Sequence, residues 1–76
     1  MAKNYNEELI EQAAAIEFPA ELFDDEAALK QWLIEQKQAG IPYEVAHRVI
    51  NNQIGKADPE AIRAAFKVCE QGWWKF

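Results

Sequence analysis

His47 and Cys69 are the two side chains whose types suit a base and a nucleophile, since an imidazole can take a thiol proton. They are the only histidine and the only cysteine in 76 residues. Nothing near either one in sequence completes such a site. There is no glycine loop for phosphate, no oxyanion-hole loop and no paired-acid cleft. Cys69 also falls on the stripe Ile62, Ala65, Phe66, Cys69, which recurs at helical spacing, and thiols buried on such a stripe are inert packing groups. A metal site lacks ligands: no second histidine accompanies His47. Asp24-Asp25-Glu26 has neither the spaced oxygens nor the glycine turn of a calcium loop. The sequence therefore reads as non-enzymatic, with no catalytic residue, cofactor or metal.

Three other groups of residues suit non-covalent recognition. The first is acidic. Of thirteen Asp and Glu residues, eight fall in the first 26 positions (Glu7, Glu8, Glu11, Glu17, Glu21, Asp24, Asp25 and Glu26) against Lys3 alone, a net −7. From Val45 onward, Arg48, Lys56, Arg63, Lys67 and Lys75 outweigh Asp58, Glu60 and Glu70, a net +2. Such separation steers partners, and carboxylates spaced along a helix can imitate phosphates. The plainer reading is that acid in a first helical turn satisfies the helix dipole. Glu11, Glu17 and Glu21 are not explained that way.

The second group spans Trp32 to Gln53, which scans as a helix-turn-helix. Ala39, Gly40, Ile41, Ala46 and Val49 suit the motif, whereas Glu35 and Gln36 stand where a short apolar residue is expected. In that reading Tyr43, His47, Arg48, Asn51 and Asn52 project outward, with Lys56 beyond them. Asn51 would pair with adenine, and Arg48 or Lys56 would hold phosphate. Glu44 on the same face would repel the backbone. The third group is Gly72-Trp73-Trp74-Lys75-Phe76. Three aromatics among the last four residues suit the core, an interface anchor or, given a basic groove that this chain hardly provides, base stacking. Neighbours cannot both point inward, so Trp73 or Trp74 is expected to stay partly exposed, and an exposed tryptophan beside Lys75 has the composition of an anchor.

Four helices are needed to position these groups. Asn4 and Glu7 form a capping-box pattern ahead of Leu9, Ala13 and Ile16, and Pro19 stops that helix at or before Phe18. The short stretch from Pro19 to Phe23 tucks Leu22 or Phe23 into the core. Asp24 is the expected N-cap of a second helix with the stripe Ala28, Leu29, Trp32 and Leu33, ended by Lys37 and Gly40. Pro42 opens a third helix at its first position, burying Val45, Ala46, Val49 and Ile50, with Gly55 closing it. Asp58-Pro59-Glu60 starts the fourth. Gly72 ends it, with Trp73 folding back on Val68 in a Schellman turn. No stretch alternates as a strand does. The expectation is an all-α, compact four-helix single domain over residues 1–76, with a helix-turn-helix-like corner between helices 2 and 3.

Half the residues are hydrophobic and 12 % are aromatic, which argues against disorder. One cysteine permits no internal disulfide, the N-terminus shows no apolar signal core, and no apolar run reaches membrane length. A cytoplasmic location without membrane contact is expected. The formal charge of −5 disfavours non-specific nucleic-acid binding. The leading expectation is an acidic protein-binding module that meets a protein with a basic surface through Glu7, Glu8, Glu11, Asp24, Asp25, Trp73, Trp74 and Phe76. In size and acidity the chain resembles small phage-type inhibitors, anti-CRISPR proteins among them. That resemblance rests on no motif, and it implies blockade of a basic surface on a nucleic-acid-handling host complex. The alternatives are a helix-turn-helix DNA-binding regulator and a structural or assembly protein that self-associates through its aromatic tail.

Overall fold

Leu33 and Ile50, neither with any exposed surface, mark the centre of the core in the computed structural model, which describes residues 5–76. Four helices surround them: α1 Tyr5–Ala14, α2 Glu26–Gln38, α3 Tyr43–Asn51 and α4 Pro59–Gly72. Short 3-10 turns at Ala20–Asp24 and Trp73–Lys75 complete the chain. The all-α four-helix expectation is met. The described residues contain no strand, only an isolated bridge between Ile54 and Ala57 around Gly55.

Each helix buries the stripe its periodicity marks out. Leu29, Trp32 and Leu33 on α2 meet Ile62, Ala65 and Cys69 on α4, with Val45, Ala46, Val49 and Ile50 of α3 closing the core. α4 packs on α2, α3 and both 3-10 turns, whereas α1 rests chiefly on α3 through Leu9 and buried Ala13. The first 3-10 turn inserts Leu22. Phe18 sits between Phe23, tilted at 4.8 Å, and Trp32, edge-to-face at 5.1 Å, fastening the loop after α1 onto α2. No charged or polar residue is buried among those described, so the core carries no desolvated charge to offset.

The corner between α2 and α3 follows from local rules. Gly40, at φ 86°, takes the left-handed position. The Ile41 N–H then donates to Gln36 O and the Gly40 N–H to Lys37 O, the two bonds of a Schellman turn. Pro42 is extended and serves as the N-cap of α3, its carbonyl accepting from Val45 and Ala46. It therefore stands one residue earlier than the sequence suggests.

Other boundaries differ too. Asp24 still belongs to the 3-10 turn, so the cap of α2 passes to Asp25, whose extended backbone lets its carboxylate accept from the Ala28 N–H at 3.1 Å. α3 ends at Asn51 with Asn52 as C-cap, before Gly55. Asp58 occupies the N-cap of α4 without a side-chain bond. Gly72 keeps helical φ −97° and continues into the last 3-10 turn, so no Schellman turn forms there. A Cβ at Gly72 would lie 2.8 Å from Phe76 Cζ; the glycine is a seat for that ring. The capping box proposed at Asn4 lies outside the described residues. Asp25→Ala is expected to lower stability in urea unfolding by about 1 kcal/mol, while Asp24→Ala stays within about 0.5 kcal/mol. Equal losses would refute the reassigned cap.

Candidate functional site

The chain after α4 sorts its aromatics by turn geometry. Trp73 is buried against the core, Trp74 is 71 % exposed, and Phe76 is half-buried over Gly72. What holds this turn is Lys37. Its Nζ donates to Trp73 O at 2.7 Å and to Phe76 O at 3.1 Å, and sits 5.8 Å from the Trp73 ring centroid. An ammonium ion bonded to two main-chain oxygens and facing a ring is a strong local tie.

Trp74 does not hang free. Its ring lies 5.3 Å from that of Tyr43, at the first turn of α3, and Tyr43 is also 6.2 Å from Trp73. The row continues from Tyr43 to His47 at 5.6 Å and from His47 to Phe66 on α4 at 4.6 Å. His47 Nε2 donates to Glu70 Oε1 at 3.0 Å, because a carboxylate only accepts. Burial, and after it the nearby negative groups including Glu70 and Glu44, raise the Tyr43 pKa, so the phenol stays neutral. Beside the row, Asn6, Leu9 and Ile10 of α1 face Tyr43, His47, Arg48 and Asn51 of α3 across a groove.

Two groups of candidate residues thus merge. Tyr43, His47, Arg48 and Asn51 share a surface with Trp74, joining the outward face of α3 to the aromatic tail. Asn52, a half-buried C-cap, and Lys56, exposed in the following turn, stand apart from it. The acidic group divides. Glu7, Glu8 and Glu11 are exposed on α1, which rests on α3, while Asp24 and Asp25 sit where the 3-10 turn meets α2 and α4. Phe66, Glu70 and Lys37 were missing from the sequence-based set. Phe66 reads as core by its spacing, and the partners of Glu70 and Lys37 are 23 or more residues away, so only tertiary structure brings them together.

No family model, curated protein or solved structure matches the chain. The meaning of the site rests on its geometry. A row of rings in tilted contact, bordered by carboxylates, an arginine and amides, can grip a partner's side chains. Among the described residues no three His, Cys, Asp or Glu converge as metal ligands, and no helix is long and apolar enough to cross a membrane.

Cys69 and His47 do not pair. The thiol has no exposed surface, while His47 is turned to Glu70. Burial first, then the Glu70 charge, push the Cys69 pKa from 9.0 to about 11. The reactive thiolate is therefore scarce near neutrality. At about pH 8 the native chain is expected to react with iodoacetamide at least about a hundredfold more slowly than the unfolded chain. Comparable rates, followed by mass spectrometry, would show the thiol to be open.

Proposed function

We propose that this chain is a non-enzymatic protein-binding module, anchored by Trp74 and directed to a basic surface by its acidic helix. The observation that carries the reading is a 71 % exposed tryptophan already ordered by Tyr43 at 5.3 Å. A large ring that is pre-placed loses little freedom on docking, and tryptophan is enriched among the residues that dominate binding energy. The net charge of −5 and the exposed Glu7, Glu8, Glu11 and Glu44 favour encounter with a positively charged partner. In its most concrete form the module is an inhibitor of the phage type, with α1 standing in for phosphates in the basic groove of a nucleic-acid-handling complex.

A second reading, a DNA-binding regulator, is favoured by the shared surface of Tyr43, His47, Arg48 and Asn51 on α3. Electrostatics weigh against it. Glu44 lies on that face, His47 is engaged by Glu70, and α1 packs along α3 with its three glutamates exposed. A duplex seated there would bring phosphates toward carboxylates.

The two readings part in a pull-down from lysate of the source organism, with and without nuclease. A stoichiometric protein that survives nuclease is expected. Trp74→Ala should weaken its capture about thirtyfold, matching an anchor worth about 2 kcal/mol. Replacing Glu7, Glu8 and Glu11 together with glutamine should weaken it most at low salt. Capture indifferent to Trp74→Ala would remove the anchor. Recovered DNA that is lost in Arg48→Ala and Asn51→Ala would favour the regulator.

A further inference from the structure

A second groove, of about 520 Å³, follows α4 on the side where it meets α2 and the first 3-10 turn. Trp74 is not among its walls. It extends from Ala61 to Gly72, about 16 Å at 1.5 Å per helical residue, and is partly open to solvent. Phe23 and Phe76, both half-buried, form walls over a floor that includes Leu29 and Val68.

The rim has a sign opposite to that of the chain as a whole. Lys30 from α2, Lys67 from α4 and Lys75 from the last turn line the groove, against the single acid Glu26. All three lysines are exposed, and among the described residues none forms an ion pair. On a protein of net charge −5, three cations against one acid around this trough invert the local charge.

We propose that this groove docks an acidic amphipathic helix from a partner protein. Its apolar face would lie on Phe23, Val68 and Phe76, with its carboxylates toward Lys30, Lys67 and Lys75. Three features select this occupant. The length accommodates about three helical turns. The apolar floor offers a free anion or a nucleic-acid backbone nothing, while it suits the i, i+3, i+4 anchors of a helix laid in a groove. The cationic rim complements glutamates flanking those anchors and repels a basic helix. This surface is separate from the Trp74 face and does not depend on the reading given to that face.

The test is fluorescence anisotropy with a labelled synthetic helix of about sixteen residues, with leucines at helical spacing and glutamate elsewhere. The acidic peptide is expected to bind, and its counterpart with lysine in place of glutamate is not. Lys30→Glu combined with Lys67→Glu should weaken binding at least about tenfold. Ala64→Trp, an exposed position that fills the trough, should weaken it comparably without altering charge. Trp74→Ala should leave it unchanged. Circular dichroism confirms that each variant is folded. No binding of the acidic peptide, equal binding by the double glutamate variant, equal binding of a peptide whose leucines are serines, or loss in Trp74→Ala would each overturn the proposal.

Discussion

One ammonium group decides what this molecule displays. Lys37 stands in the last turn of α2, where the helix dipole already favours a cation, and reaches across to Trp73 O and Phe76 O. Both oxygens lie in the last turn, where Trp73 O also accepts from the Phe76 N–H. With them held, the turn adopts 3-10 geometry, and successive side chains leave in different directions. Trp73 enters the core, Trp74 goes to Tyr43 and Phe76 goes to the seat over Gly72. The aromatic row on one side and the apolar wall of the lysine-rimmed groove on the other both depend on that tie.

The helices were legible because their signals are local. Gly40 before Pro42, Pro59 after Asp58 and the stripes Leu29-Trp32-Leu33 and Val45-Ala46-Val49-Ile50 act within a few residues. They appear in the structure nearly as written. Boundaries moved where two local rules competed. Asp24 and Asp25 are equivalent as capping residues on paper, and only the 3-10 turn that absorbs Asp24 decides between them. The order of Trp73 and Trp74 was beyond sequence reasoning for a different reason: a lysine 36 residues earlier sets it. Phe66 illustrates a third kind of failure. Its spacing marks it as core, yet it lies at the edge of the stripe, half-buried and stacked on His47.

Charge is divided by element as well as by sequence position. α1, which packs on α3, carries Glu7, Glu8 and Glu11 exposed, while Lys30, Lys67 and Lys75 line the groove along α4. The core between them contains no ionised group among the described residues, so each surface can be altered with little effect on packing. A chain this short has little core to spare. With no polar or charged residue buried among those described, the exposed rings and rims add no desolvation cost to that core. Cys69 fits the same economy: enclosed and protonated, it fills space.

Whether Lys37 holds Trp74 on Tyr43 is read directly by two-dimensional nuclear Overhauser spectroscopy of the unaltered chain and of Lys37→Met. Cross-peaks between the Trp74 indole and the Tyr43 ring are expected in the former. In Lys37→Met they should be lost or strongly weakened, while the methyl contacts of Leu33 and Ile50 persist. Cross-peaks of equal strength in both proteins, or none in the unaltered chain, would contradict the account.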